Sequence, residues 1–393
     1  YLLIPIVTSQ DLFLYISYAR MAALYHLNPF TIAPVAIHTD PIYSYIFWTN
    51  QPSLYGSTWI GPIAALQWLA LKLGLKSISP VVLLLRLFGL AIHLGSTQLI
   101  WILSGKLQGQ NGPISLLRRR QVTLAFAWNP LLLIEACVNV HADTLMLFLL
   151  LLAIWVLVYG QERNAVIAPA FWIGTSIVLA LAAGIKINAA IFLPGLLLYA
   201  WSQPKRLRTT LLIGASYLIT MIILYVPFWL HGSSFTALFA NPSSSQSVNS
   251  LPEFLFGLYR SITHLWTAPS TVVSATSVEE VTRTLSILVF LGAYGWLCWK
   301  AKNSLHTTAH LVCWMAIAWL LYCIFGAPWF WPWYIIPLLG LLALVASIPA
   351  EAWPTWLHRF GTVPHFQLSI SILAFSMLSL YGFYTWGFQH SSI

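Results

Sequence analysis

Nine Asp and Glu in a chain of 393 residues are few enough that each can be weighed for a purpose. Glu162 and Glu351 fall in short basic turns and read as solvated charges. Glu279 and Glu280 open a helix, where the macrodipole favours negative charge. Asp11, Asp40, Glu135, Asp143 and Glu253 remain, and an acid kept in so apolar a chain is candidate chemistry: a carboxylate within hydrogen-bond reach of a hydroxyl can take its proton. Asp11 stands in Thr8-Ser-Gln-Asp-Leu-Phe-Leu-Tyr-Ile-Ser-Tyr-Ala-Arg20, with Tyr15, Tyr18 and Arg20 one and two turns along. It reads either as a helix cap and dipole partner or as a general base at the mouth of a bundle. His141-Ala-Asp143 follows an apolar helix that carries Glu135, and there too a cap is the plainer reading. His141 and Asp143 are only two metal ligands, which do not make a site.

The cations are as informative. Lys186, in Gly184-Ile-Lys-Ile-Asn188, falls between two apolar runs, where an uncompensated ammonium is costly and a functional role is the default hypothesis. Snorkelling to the interface would explain it plainly; a sharper role is a cation for a phosphate held at the lipid boundary. Arg86 poses the same question and is expected near the cytoplasmic end of the run 80–104. The cluster Pro328-Trp-Phe-Trp-Pro-Trp-Tyr334 suits an aromatic belt at the headgroups, and equally a wall for a sugar face or an isoprenoid chain. Cys137, Cys298, Cys313 and Cys323 lie in or beside apolar segments, form no CxxC pair and read as small core residues.

The elements that must position these residues are membrane helices. Charged residues make up 7% of the chain against roughly 25% in a soluble domain, while 59% is hydrophobic and mean hydropathy is +0.80. Such a composition excludes a disordered chain, a disulfide scaffold and a nucleic-acid-binding domain. Apolar runs able to cross a bilayer lie near 80–104, 121–138, 144–160, 165–185, 187–201, 209–230, 284–299, 309–326, 334–349 and 367–388. Tyr1 to Val7 adds a stub, read as the tail of a truncated first span and too short for a signal peptide. The expected fold is therefore all-α: a polytopic membrane bundle of about 11 spans, with 1–393 as a single domain.

The run 59–75 is short and is taken to lie in the interface without crossing. The connections 105–120, 161–164, 202–208, 300–308 and 350–366 then share one side and carry the whole net charge of +9, the charges elsewhere cancelling. By the positive-inside rule that side is cytoplasmic. The outer side holds the long loops 8–58 and 231–281, which form the active-site face, because long loops in compact proteins are usually functional. Two interfacial helices are expected in them, an amphipathic one over Asp11–Tyr25, ended before Asn28-Pro29, and a second over Leu251–Leu265, with Asn241–Asn249 as a mobile loop.

Together these pieces resemble the GT-C superfamily of integral-membrane glycosyltransferases that use a polyprenyl-phosphate sugar, and look closest to bacterial polyprenyl-phosphate-mannose-dependent mannosyltransferases. The resemblance rests on Asp11 with its Tyr/Ala/Arg helix and Asn28-Pro29-Phe30; Tyr55-Gly56 with Trp59; Asn129-Pro130 and His141-Ala142-Asp143; Gly184 to Lys186 with Leu193-Pro194; and Pro332-Trp333-Tyr334. It spans residues 9 to 340 and departs at Ala142, where Asn is commoner, and in the extra tryptophans around Trp333.

The resemblance implies transfer of a hexose, mannose first, from a polyprenyl-phosphate donor to an extracytoplasmic hydroxyl of a glycan or glycolipid. Asp11 would be the general base of an inverting displacement. Asp143 and His141 would position acceptor or base, Lys186 would meet the leaving phosphate, and Arg20, Asp40, Trp333 and Tyr334 complete the candidate substrate-binding set. No cofactor, metal or nucleic acid is implied, only membrane lipid, and the expected setting is a bacterial plasma membrane. Two rivals stand beside this reading: a secondary transporter, which would show paired half-repeats, and a non-catalytic lipid-binding subunit of an envelope assembly machine.

Overall fold

A computed structural model describes residues 2–3, 9–75, 77–107, 113–163, 166–228, 247–266 and 275–360. The stub apart from Leu2 and Leu3, Lys76, the stretch 229–246 and the run 367–388 lie outside the described residues. Regular structure among the described residues is helical, apart from an isolated bridge between Val248 and Trp329. Helices are what a bilayer demands, since every backbone N–H and C=O must be bonded within the segment.

The chain enters through α1 (Asp11–Ala23), an irregular segment with short 3-10 turns at Pro34–Ile37 and Pro41–Tyr45, and α2 (Ser57–Lys72). The bundle follows: α3 (Ile78–Leu107), α4 (Pro113–Ala127), α5 (Pro130–Cys137), α6 (Ala142–Arg163), α7 (Pro169–Ala183), a 3-10 turn Ile187–Phe192 running into α8 (Leu193–Trp201), and α9 (Arg206–Tyr225). Then come α10 (Leu251–Trp266), α11 (Ala275–Ala301), α12 (Thr308–Leu321) with a π turn Tyr322–Gly326, a 3-10 turn Pro332–Ile335, and α13 (Ile336–Ser347). Among the described residues, five helical stretches are long and apolar enough to cross a membrane: Ile78–Leu107, Ala142–Arg163, Arg206–Phe228, Val278–Ala301 and Thr308–Gly326. Pro169–Ala183, Ile187–Trp201 and Pro332–Ser347 are apolar but shorter.

Two expected boundaries move for identifiable reasons. The run 121–138 becomes α4 and α5, broken at Asn129-Pro130, where the Asn129 side chain caps α5 by accepting from the amides of Leu131 and Leu132. Because α4 starts at Pro113, Arg118 to Arg120 ride on its first turns instead of in an open connection.

The bundle has two chemically different ends. At one, Lys106 pairs with Glu162, Gln161 meets Tyr199 and Thr308, and Ser202 bonds the Leu305 carbonyl. The ends of α3, α6 and α8 and the start of α12 thus meet beside the basic turns. The opposite end gathers Asp11, Tyr55, Glu135, His141, Asp143, Lys186 and Trp333. Arg86 belongs to this second end: its Nε donates to the Val138 carbonyl at 3.0 Å, closing the C-terminus of α5, and Nη1 donates to the Leu2 carbonyl at 2.8 Å. Expected at the end that carries the basic turns, Arg86 lies at the site end instead, because α3 runs away from the site and Arg86 is near its start. α2 begins at this end too, where the Gly56 and Thr58 amides bond the Ile185 and Gly184 carbonyls.

The Asp11 helix is more enclosed than an interfacial helix. Residues Leu14 to Met21 are all buried, and the polar ones are bonded: Ser17 to the Leu14 carbonyl, Tyr18 to the Gln51 carbonyl, Arg20 to Asp40. The helix stops at Ala23, ahead of the left-handed His26. By contrast α10 exposes an apolar stripe of Phe254, Leu255, Leu258 and Ile262, the spacing of a helix lying in an interface.

Candidate active site

Asp11 is the first residue of α1, where its carboxylate faces inward with 19% of the side chain exposed. Ser9 Oγ accepts from the Asp11 amide at 3.1 Å, and Gln10 at the N-cap makes no side-chain cap. Tyr55 Oη donates to Asp11 Oδ2 at 3.1 Å, and His141 Nδ1 lies 3.8 Å from the same oxygen. Burial pushes the Asp11 carboxyl up from the ordinary carboxylate range, although the Tyr55 hydroxyl, the Lys186 charge and Ser9 pull it back. Burial also raises the Tyr55 phenol well above its usual value, so it remains a donor.

Tyr55 arrives there by a close approach of two distant segments. The Gly56 amide donates to the Ile185 carbonyl at 2.9 Å and the Thr58 amide to the Gly184 carbonyl at 3.1 Å. A Cβ on Gly56 would stand 2.1 Å from the Gly184 carbonyl oxygen, so the contact requires glycine. The contact sets the Tyr55 ring 5.6 Å from Lys186 Nζ, and the Tyr334 ring closes in from another side at 4.7 Å. Lys186 Nζ donates to Asp143 Oδ2 at 2.6 Å, while Oδ1 of that wholly buried carboxylate has no hydrogen-bond partner among the described residues. An ammonium carries three donors, so Lys186 retains bonding capacity beyond Asp143.

His141 sits between these groups. The preceding Val140 holds φ at +55°, a left-handed conformation that a β-branched residue adopts only under constraint. That turn is pinned by the His141 amide donating to the Glu135 carbonyl at 2.8 Å and by Thr144, whose Oγ1 donates to the His141 carbonyl at 2.7 Å. The imidazole stacks on the Trp333 indole at 3.9 Å and 13°, and Trp331 stacks on Trp333 in turn at 5.4 Å. Tyr15 Oη lies 3.4 Å from His141 Nδ1, and Glu135 Oε2 lies 3.2 Å from Nε2. Burial, with the Lys186 charge behind it, holds the imidazole well below its usual range and therefore neutral.

Asp11, His141, Asp143, Lys186, Trp333 and Tyr334 are thus brought together. Arg20 and Asp40 pair with each other: Nε donates to Oδ1 at 2.9 Å and Nη2 to Oδ2 at 2.7 Å, while Tyr25 Oη and the Ile42 amide complete the carboxylate's bonds. Burial alone would raise Asp40, yet Arg20 and the added donors hold it below the ordinary range. The pair braces the segment after α1 against that helix. Asn28-Pro29-Phe30 likewise ties this segment to the end of α9, Asn28 Nδ2 donating to the Phe228 carbonyl at 3.2 Å. Tyr15, Tyr55 and Glu135 join the cluster as well: Glu135 is among the candidate acids, Tyr15 stands beside Asp11 by helical spacing and Tyr55 is in the Tyr55-Gly56 motif, but none of the three is in the expected substrate-binding set.

A raised carboxyl, a lysine with spare donors and flat indole walls can together accept a proton, neutralise an anion and hold a ring-shaped substrate. A family model described as alpha-(1->6)-mannopyranosyltransferase, N-terminal domain, matches residues 1–202, a stretch that includes Asp11, Tyr55, Glu135, His141, Asp143 and Lys186. No curated protein and no solved structure matches the chain.

Proposed function

Because the chain belongs to the alpha-(1->6)-mannopyranosyltransferase family, we propose that it moves a mannosyl unit from a polyprenyl-phosphate donor in the membrane to a hydroxyl of an extracytoplasmic glycan or glycolipid, forming an α-1,6 link with inversion. The observation that carries this reading is the convergence of Asp11 and the Lys186–Asp143 pair on one end of a membrane bundle, walled by Tyr55, Trp333 and Tyr334.

In the proposed reaction Asp11 takes the acceptor proton as the hydroxyl oxygen attacks the anomeric carbon. The bond from that carbon to the phosphate oxygen breaks, and its electron pair leaves with polyprenyl phosphate. Lys186 offers its remaining N–H donors to the phosphate, and Asp143 fixes the ammonium. The half-buried indoles of Trp329 and Trp331, beside the buried Trp333, supply aromatic surface for sugar or isoprenoid. Positive charge concentrated at the opposite end supports an extracytoplasmic site.

Purified protein incubated with radiolabelled polyprenyl-phosphate sugars tests this. Transfer from the mannosyl donor, unchanged by a chelator, is the expected result. Transfer only from a nucleotide sugar, or chelator inhibition reversed by Mn²⁺ or Mg²⁺, would overturn donor or mechanism.

A further inference from the structure

Glu135 has no part in the displacement proposed above, yet it is wholly buried beside the His141 imidazole, which reaches toward Asp11. A carboxylate in that position needs a reason, because burying it is costly unless it is bonded. Its Oε2 accepts from Asn139 Nδ2 at 3.0 Å and lies 3.2 Å from His141 Nε2, within ion-pair range, although Nε2 makes no aligned hydrogen bond among the described residues. On the other edge of the ring, Nδ1 faces Tyr15 Oη at 3.4 Å and Asp11 Oδ2 at 3.8 Å. The ring cannot turn freely out of this line: Trp333 lies flat against one face, and Tyr15 meets it edge-on with centroids 6.4 Å apart. Val140, at φ +55°, shows that the backbone is held in an unfavourable conformation just where it delivers this side chain.

We propose that Glu135 is a positioning residue for mannosyl transfer, holding His141 with Nε2–H toward the Glu135 carboxylate and the Nδ1 lone pair toward Tyr15 and Asp11, so that the proton collected by Asp11 moves on through the imidazole. This rests on the reading of Asp11 as the base. In this tautomer the Tyr15 phenol donates to the unprotonated Nδ1 and the ring's proton sits on Nε2, on the side of the Glu135 carboxylate; the opposite tautomer would have Nδ1–H donate to the phenol oxygen.

The steps balance. The acceptor's O–H bond breaks, its electron pair forms the new bond to the anomeric carbon, and the proton goes to Asp11. Asp11 O–H then donates to Nδ1 while Nε2–H passes to Glu135. Asp11 is again a carboxylate, His141 is again neutral, and Glu135 holds the proton until product leaves. The 3.8 Å separation is of the kind that closes when substrate fills a site. Facing the imidazole are Asp11 and Tyr15 from α1 and Glu135 from α5, with Lys186 close enough for its charge to disfavour an imidazolium.

Glu135→Gln keeps the volume and removes the acceptor charge. It is expected to lower the single-turnover rate about ten- to a hundredfold, the size seen when the outer partner of an oriented histidine is lost. Donor KM should stay within about twofold and the acid limb of the pH–rate profile should move, with Glu135→Asp partly restoring the rate. A reading independent of activity is ¹⁵N NMR of labelled histidine, the His141 signal being assigned by its loss in His141→Asn. Wild type should show the Nε2–H tautomer and Glu135→Gln a changed ratio. A Glu135→Gln protein with wild-type rate and pH profile, or a wild-type His141 protonated on Nδ1, would overturn the proposal. If wild type transfers no mannose from any lipid donor while the tautomer is as expected, the reading of function has failed and the positioning by Glu135 has not.

Discussion

Asp11 combines two properties that one carboxylate rarely has together: a place at the start of a helix and an enclosed face toward other chemistry. The Asp11 carboxylate accepts from Tyr55, so a cap role for it predicts little. Asp11→Asn is expected to lower turnover by at least roughly two decades, since a general base contributes about 10²- to 10⁴-fold, while donor binding persists. Were it only a cap, thermal stability would fall by about 0.5–2 kcal/mol with full turnover in the folded fraction. The pH dependence follows from the same burial. Asp11 works as a carboxylate and its pKa is raised, so activity is lost as pH falls through a value above the ordinary carboxylate range. A pH–rate limb at or below that range would count against Asp11. Lys186 calls for a paired test, because Lys186→Ala strands a buried Asp143 and removing one member of such a pair costs about 3–5 kcal/mol. The double variant Lys186→Ala/Asp143→Asn should regain much of the melting temperature and none of the donor affinity. Recovery of both would deny Lys186 a phosphate contact.

At the scale of elements, the contact between the start of α2 and the end of α7 decides the geometry of the site. Neither backbone can retreat, as a Cβ on Gly56 meets the Gly184 carbonyl at 2.1 Å and one on Gly184 meets Thr58 Oγ1 at 2.4 Å. Gly56→Ala is therefore expected to cost about 1–3 kcal/mol by overpacking and to lower turnover by displacing Tyr55 from Asp11 and Lys186. Gly61→Ala, five residues on in α2, meets nothing within 4 Å. It should leave activity intact and raise helix stability by about 0.5–1 kcal/mol. Equal effects of the two in thermal unfolding and turnover assays would remove the contact from the account. The other element that matters is the short turn between α5 and α6, which points Glu135, His141 and Asp143 to one end while both helices pack inside the bundle.

The whole molecule is a polar cluster at one end of an apolar bundle and a basic rim at the other. α6 is buried on nearly every side, whereas α9 and α11 turn Leu211, Leu218, Ile223, Leu288 and Leu291 outward, as lipid-facing helices do. The orientation can be measured in a background lacking the four free cysteines. Ser44→Cys and Asn303→Cys, both exposed and at opposite ends, should react with an impermeant maleimide from opposite sides of the membrane, Ser44→Cys from outside. Labelling of both from the same side would remove the topology and the extracytoplasmic site with it.

Much of this was legible without coordinates, because a bilayer constrains sequence strongly: spans must be apolar, charge must stay in loops, and the few acids that remain stand out. Hence Asp11, His141, Asp143 and Lys186 could be named from type and place alone. Their partners could not. That Lys186 is neutralised by Asp143, that Arg20 and Asp40 satisfy each other, and that Arg86 closes α5 on the site side all depend on which helices pack together. Tyr55 reaches Asp11 only because two glycine-bearing segments touch, and His141 faces Glu135 only through a left-handed Val140, a conformation valine's own preferences oppose. Local chemistry and hydropathy are written along the chain; contacts between residues 40 to 130 positions apart, as between Lys186 and Asp143 or Tyr15 and His141, are set by packing and are decided only in the folded bundle.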